Sequence, residues 1–202
     1  KSTLVAAWVN SRAPRVAWLS LDEADNDPTR FFRYLIAALQ QIDPAIGRSL
    51  AGMLDAPQLP NPSTLVAAII NDIARLDGEA ILILDDFQNI ESATLHEALR
   101  TLIAHQPPQL HVVVLTREDP QLPLARMRAR GELLELRALD LRFSPQETAD
   151  FMTSSMGITL EPQALSDLDR LIEGWIAGLQ LAALSMQQHI DPAALIARLS
   201  GN

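Results

Sequence analysis

Short, unbroken runs of aliphatic and β-branched residues recur along the chain, separated by longer stretches with helical periodicity. A run that is continuous, rather than alternating in polarity, is typical of a strand buried on both faces. The predicted strands are residues 16–21, 80–84, 110–116 and 133–139. The predicted helices between and beside them are residues 28–42, 63–76, 92–105 and 122–130. Strands that alternate with helices favour right-handed crossovers and a parallel sheet, so the fold class is predicted to be α/β.

The strand pattern stops near residue 142, and only helical patterns follow. The segment 144–147, Ser-Pro-Gln-Glu, predicts a helix start, because serine caps free amides, proline presets the first turn and glutamate closes a capping box. Later helices are predicted at residues 161–173, 175–189 and 191–199. The prolines within 47–62 predict a loop. We therefore expect an α/β domain at 1–142 and a small helical domain at 143–202.

Composition excludes several classes of function. The formal net charge is −9, whereas a duplex-binding domain needs a positive patch to neutralise phosphates, so this chain is not expected to bind DNA by itself. The absence of cysteine excludes disulfides and thiolate metal sites. No apolar run reaches the roughly eighteen residues that a membrane-spanning helix needs, and no signal-peptide pattern is present at the start. These features fit a cytoplasmic protein.

Two acids, Asp85 and Asp86, follow directly after the aliphatic run 81–84. Ligands of open α/β sheets bind beyond the carboxyl ends of the strands, where a carboxylate can hold Mg²⁺ beside nucleotide phosphates. The alternative is that these acids only cap the next helix, which is predicted to start near Ser92. The two interpretations are left open at this point.

Two further signals point to the same edge of the sheet. Lys1 is the only lysine of the chain and stands before Ser2 and an apolar helical stretch. In a phosphate-binding loop the lysine reaches the phosphates and the following hydroxyl coordinates Mg²⁺. Arg117 follows the strand predicted at 110–116 and could contact a terminal phosphate. The alternatives are a terminal lysine without a role and an ordinary surface arginine.

Taken together, these motifs resemble the nucleotide-binding domain of the large ATP-binding LuxR-type transcription regulators, the MalT-like branch of the STAND class of P-loop ATPases. The resemblance covers nearly the whole chain. It is carried by the fragments KSTLVAAWV, VAWLSLDEADNDPTRFFRYLIAAL, ILILDDFQNI, VVVLTRED, LLELRALDLRFSPQETADFM and GWIAGLQLAAL.

The resemblance implies a site for ATP or ADP with Mg²⁺. Lys1 matches the family's Walker A lysine, Ser2 its magnesium-binding hydroxyl, and Thr3 the next residue beside the phosphates. Asp85 matches the Walker B acid that binds Mg²⁺. The loop glycines of the family precede the lysine, so the match begins inside the phosphate-binding loop.

Other residues match the catalytic and sensing positions of the family. Asp86 matches the second acid, which positions or activates the attacking water, and Arg117 matches the sensor arginine. The segment 178–181 resembles the GLPL-type motif, with Gln180 in place of proline. Many relatives have histidine where this chain has Gln88. The roles of both glutamines are therefore left open.

The resemblance also implies a fold and a function for the intact protein. The sheet order would be 5-1-4-3-2, with the first strand missing from the given chain and a C-terminal helical lid. Nucleotide state, reset by slow ATP hydrolysis, would control self-association and DNA binding through a domain absent from this chain, in response to an unknown inducer. The alternatives are an AAA-like remodelling ATPase and a nucleotide-free interaction scaffold. No membrane partner is expected.

Overall fold

A computed structural model describes residues 1–12, 15–56 and 60–187, and the chain forms two compact units. The first unit is Lys1–Leu133 and the second is Leu134–Asn202. The helix predicted at 191–199 lies outside the described residues. No described helix is both long and apolar enough to cross a membrane.

The first unit is built on a parallel sheet of three strands. They are β1 (Arg15–Ser20), β2 (Ala80–Asp85) and β3 (Leu110–Val114), in the order β1-β2-β3. Every residue of the central strand β2 is buried, as its unbroken aliphatic run predicts. The predicted α/β class with a parallel sheet is therefore confirmed, and the ends of these three strands differ from the prediction by at most two residues.

Helices cover both faces of this sheet. The α-helices described in the first unit are α1 (Ser2–Arg12), α2 (Pro28–Leu39), α3 (Ala51–Leu54), α4 (Pro62–Ile73), α5 (Ala93–Ala104) and α6 (Leu124–Arg130). Alternate residues of a strand point to opposite faces. Leu82 and Leu84 of β2 belong to the main core with α2, α4 and α5, whereas Ile81 and Ile83 contact Val5 and Val9 of α1.

The start of α2 shows how local sequence sets these helices. The Asp27 side chain accepts a hydrogen bond from the Arg30 N–H at 2.8 Å, and Pro28 occupies the first turn. Phe31, Leu35 and Leu39 then recur at four-residue spacing and are each 1 % exposed. One face of α2 is therefore buried along its whole length, as the helical periodicity predicts.

The prediction of a strand at 133–139 is wrong, because the chain forms no strand there. Leu134, Leu136 and Leu139 are 88, 61 and 72 % exposed, and the segment ends in a single helical turn, Leu139–Leu141. A strand exists only when a neighbour pairs with its N–H and C=O groups. The resemblance pairs this strand with one that precedes Lys1 in the family, and the described residues include no such neighbour.

The loop predicted at 47–62 is also corrected in part. It contains a short helical segment, Arg48–Leu50 followed by α3. Leu50 and Leu54 are four residues apart and both are buried in the main core. Burial of this pair favours a helical turn over the irregular loop that the nearby prolines predict.

In the second unit, the described residues up to 187 form the helices α7 (Pro145–Asp150), α8 (Pro162–Ile172) and α9 (Ile176–Gln187). A π-helical turn, Phe151–Ser155, extends α7. The core of the second unit contains the buried residues Met152, Leu168, Leu179, Ala182, Ala183 and Met186. The predicted capping box is confirmed, since the Ser144 N–H donates to Glu147 Oε2 at 2.8 Å and the Glu147 N–H donates to Ser144 Oγ.

This capping box predicts a pH-dependent contribution to the stability of the second unit. Hydrogen bonds from the backbone and side chain of Ser144 lower the pKa of Glu147 below its usual value of 4.5. A lowered folded-state pKa stabilises the fold above the usual value and loses that contribution as pH falls through the folded value. We expect Glu147→Gln to remove this dependence in urea titrations between neutral and acid pH. Glu161→Gln, at a helix start without a side-chain cap bond, is the control and should retain it.

Candidate functional site

The carboxyl ends of the three strands lie at one edge of the sheet, and α1 begins at the same edge. Asp85, the last residue of β2, is only 7 % exposed. Ser2, the first residue of α1, donates its hydroxyl hydrogen to Asp85 Oδ1 at 3.0 Å, across 83 positions of sequence. The predicted magnesium-binding hydroxyl and acid are therefore direct neighbours.

Lys1 lies beside the end of the neighbouring strand. Its Nζ donates to the carbonyl oxygen of Thr116 at 2.5 Å, two residues beyond the end of β3. This contact is exposed, so the ammonium group is accessible from solvent. The structure thus brings Lys1, Ser2 and Asp85 together at the ends of β2 and β3.

The start of α1 adds free backbone donors to this edge. The Val5 N–H donates to the Lys1 carbonyl at 3.1 Å, so the amides before Val5 precede the first intrahelical bond. Such amides and the helix dipole favour an anion at a helix N-terminus. Thr3 lies in this first turn and is exposed. A phosphate at this helix start would meet the backbone amide of Thr3.

The donor set fits Mg²⁺ with a phosphate ligand. A hydroxyl and a carboxylate are hard oxygen donors, and Mg²⁺ in nucleotide sites is held by one or two protein oxygens, phosphates and waters. Among the residues that the structure describes, no three His, Cys, Asp or Glu side chains cluster closely enough to hold a metal. Ser2 and Asp85 would therefore supply the protein ligands, and Lys1 a positive charge beside them.

Asp86 adopts a left-handed backbone conformation, with φ 54° and ψ 41°. Its N–H donates to Asp85 Oδ1 at 3.0 Å, and the short helical turn Phe87–Asn89 follows it. The alternative that the two acids cap the helix near Ser92 is wrong, because Ser92 itself is the N-cap residue of α5 and the two carboxylates accept hydrogen bonds from Ser2, Asp86 and Gln88. The amides of Glu91 and Ser92, just before α5, donate to Asn26 Oδ1 at 2.7 and 2.8 Å.

Gln88 connects Asp86 with the segment that carries Arg117. Its Nε2 donates to Asp86 Oδ1 at 2.9 Å, and its Oε1 accepts from the Arg117 N–H at 3.2 Å. The side chain of Arg117 is exposed. Gln88 therefore holds the Asp86 carboxylate and the Arg117 backbone relative to each other. The position of Gln88 in the sequence, two residues after Asp86, does not by itself establish this role.

Asn26 and Asn89 are polar residues at this edge that the sequence did not single out. Asn26 Nδ2 donates to the Asn89 carbonyl at 2.8 Å, and Asn89 Nδ2 donates to the Leu21 carbonyl at 2.9 Å. They join the loop after β1 to the turn after β2. Nothing in the spacing of two asparagines 63 positions apart indicates this contact.

Comparison with known proteins places the chain beside one group of regulators. It is 37% identical over 189 residues to the HTH-type transcriptional regulator MalT of Cronobacter sakazakii, covering 94% of the chain and 21% of that relative. It is 36% identical over 202 residues to the regulators of the same name from Yersinia enterocolitica and Yersinia pestis, covering 100% of the chain and 22% of each. No protein-family model matches.

The chain therefore spans about a fifth of the length of the curated relatives that it matches. The similarity extends over the whole chain and supports the resemblance to MalT-like regulators that the motifs indicate.

Proposed function

We propose that this chain is the nucleotide-binding core of an ATP-dependent switch in a MalT-like transcription regulator. The observation that carries the proposal is the contact between Ser2 and Asp85 at 3.0 Å. A hydroxyl that follows a lysine at a helix start, touching an acid at the end of a buried strand, is the arrangement that a magnesium–nucleotide site requires.

The residues at this edge have distinct roles in binding. The Lys1 ammonium and the first amides of α1 would hold the phosphates of ATP or ADP, because both offer positive charge to an anion. Ser2 and Asp85 would hold Mg²⁺. When bound, the ion neutralises part of the phosphate charge.

The turn after β2 carries the groups proposed for hydrolysis. The Asp86 carboxylate would accept a proton from the attacking water or orient it, and Gln88 keeps that carboxylate in place through their 2.9 Å hydrogen bond. Arg117 would contact the terminal phosphate through its exposed guanidinium group. The backbone N–H of Arg117 donates to the same glutamine. In the intact protein these groups would support slow hydrolysis that resets the switch.

The larger architecture follows from the same proposal. The order β1-β2-β3 corresponds to the 2-3-4 part of a 5-1-4-3-2 sheet, whose first strand would precede Lys1 and pair with the outer edge of β3. The helical lid would be residues 143–202, which lie within the second unit. Nucleotide state would govern self-association and DNA binding by another domain, in the cytoplasm and in response to an inducer.

The decisive test is calorimetric binding of ATP and ADP, with Mg²⁺, to the intact protein and its Lys1→Ala variant. Loss of a charge-assisted phosphate contact costs about 1.5–3 kcal/mol, so we expect a Kd roughly 10- to 150-fold higher in the variant. Arg48→Ala is a matched control, because it removes a cation whose Nε donates to the Pro44 carbonyl at 2.9 Å, away from the site.

The outcomes separate the candidate functions. Binding that the Lys1 variant loses and the Arg48 variant keeps supports the switch. Turnover of many molecules per second would favour a remodelling ATPase instead. Absence of ATP and ADP binding by the intact wild-type protein would overturn the proposal and leave an interaction scaffold.

A further inference from the structure

The side chain of Asn26 makes four hydrogen bonds. Its Oδ1 accepts from the N–H groups of Glu91 and Ser92, at 2.7 and 2.8 Å. Its Nδ2 donates to the carbonyl of Asn89 at 2.8 Å and to that of Glu23 at 3.0 Å. A side-chain amide has two acceptor sites and two donor hydrogens, so these four bonds satisfy the whole hydrogen-bonding capacity of Asn26. No other residue type supplies two donors and two acceptors within so short a side chain.

These bonds join two loops that are distant in sequence. Asn26 belongs to the loop after β1, whereas Asn89 ends the turn that follows the two acids. A second set of bonds joins the same two loops: Asn89 Nδ2 donates to the Leu21 carbonyl at 2.9 Å. The Leu21 N–H in turn donates to the Asp85 carbonyl at 3.0 Å. We call the Asn26 and Asn89 side chains the asparagine clasp.

The loop that presents Asn26 is itself held in place. Asp25, which is 2 % exposed, accepts from the Asp22 N–H at 2.9 Å and from Arg30 Nε at 2.8 Å. Hydrogen bonding to Asp25 raises the pKa of Arg30, so the guanidinium stays charged. Asn26 is therefore presented by a preorganised loop.

The turn held by the clasp starts from a strained residue. Asp86 has a left-handed backbone, a conformation that non-glycine residues keep only when their surroundings determine it. From that conformation the turn directs Gln88 to Asp86 Oδ1 and to the Arg117 N–H. Loosening the turn at Asn89 would therefore disturb both contacts.

We propose that Asn26 is a positioning residue of the candidate site. It acts through Asn89 and Gln88 to fix the Asp86 carboxylate and the Arg117 backbone, rather than only holding the segment before α5. The effect of Asn26 on ATP hydrolysis rests on the proposed function. The effect of Asn26 on the conformation of the turn Phe87–Asn89 does not.

The first experiment measures amide hydrogen exchange by NMR on this 202-residue chain and its Asn26→Asp variant. Aspartate keeps the oxygen that accepts from Glu91 and Ser92 but loses the donors to Asn89 and Glu23. We expect the Phe87, Asn89 and Arg117 amides to exchange about tenfold faster or more, while the Glu91 and Ser92 amides stay protected. Asn89→Asp, which loses the donor to Leu21, should loosen the same three amides.

Gln40→Glu is the matched control. It removes a side-chain amide that donates to the Ile46 carbonyl at 3.0 Å, away from the turn, and should leave the Arg117 amide unchanged. The Leu115 amide, which pairs with Leu84 in the sheet, reports whether the fold persists. Wild-type exchange at Asn89 and Arg117 in both asparagine variants, or accelerated exchange at Leu115 as well, would overturn the positioning role.

The second experiment measures ATP hydrolysis and ATP affinity in the intact protein. Displacement of a reacting group by about 1 Å can cost up to about a hundredfold in rate, so Asn26→Asp should lower kcat about 10- to 100-fold and leave the Kd for ATP unchanged. A wild-type protein that binds no ATP would defeat the proposed function without touching the exchange result. Unchanged kcat in a wild type that does hydrolyse ATP would defeat the positioning role instead.

Discussion

Asp86→Asn in the intact protein is expected to lower the rate of ATP hydrolysis about 10²- to 10⁴-fold while leaving the Kd for ATP nearly unchanged. The carboxylate of Asp86 is the group proposed to accept a proton from water, and an amide cannot do so. The phosphate and magnesium contacts are assigned to Lys1, Ser2 and Asp85, which the substitution leaves in place. Single-turnover hydrolysis and calorimetric binding on the same samples measure the two quantities separately.

Asparagine is the informative replacement because it preserves the geometry. It tolerates the left-handed backbone at this position, where alanine would be strained. Its Oδ1 can still accept the hydrogen bond that Gln88 donates at 2.9 Å. Asp77→Asn is the matched control, since Asp77 is an exposed acid before β2, at the opposite end of the same strand. Equal hydrolysis rates in both variants would show that Asp86 is not the base.

Gly174→Ala is expected to destabilise the second unit by about 2–5 kcal/mol. Gly174 has φ 72°, a left-handed conformation that costs an L-residue roughly 1–2 kcal/mol. A Cβ there would also meet the backbone of Phe143, with its nitrogen at 2.9 Å and its carbonyl oxygen closer still. The same backbone nitrogen donates to the Gly174 carbonyl at 2.8 Å, so relieving the clash would break this hydrogen bond.

Gly157→Ala separates the two causes. Gly157 also has a positive φ, 68°, but no atom lies within 4 Å of its ideal Cβ position, so only the backbone cost of about 1–2 kcal/mol should appear. Urea titrations followed by Trp175 fluorescence, with Trp8 and Trp18 replaced by phenylalanine, report on the second unit. Equal midpoints for the two alanine variants would show that the contact with Phe143 carries no cost.

Local patterns determined much of this fold from the sequence alone. The short aliphatic run of β2 has no polar face to expose, which favours a central strand buried on both faces, as the structure shows. The Ser144–Glu147 pair determined a helix start, because both bonds of a capping box lie within four residues. The two acids after β2 were assigned to the carboxyl edge on equally local grounds, since the direction of a strand determines at which edge of the sheet its next residues lie.

Features that depend on partners far along the chain were decided only by the tertiary structure. The leucines of 133–139 have strand character, yet a strand needs a neighbour, and none lies beside them among the described residues. Ser2 meets Asp85, Gln88 meets Arg117, and Asn26 meets Asn89 across 83, 29 and 63 positions. The sequence determined that Asp85, Asp86 and Arg117 lie at this edge of the sheet, because the carboxyl ends of parallel strands share it. The tertiary structure decided which of these groups contact each other. Those contacts depend on loop conformations held by long-range hydrogen bonds, and no local sequence pattern encodes such bonds.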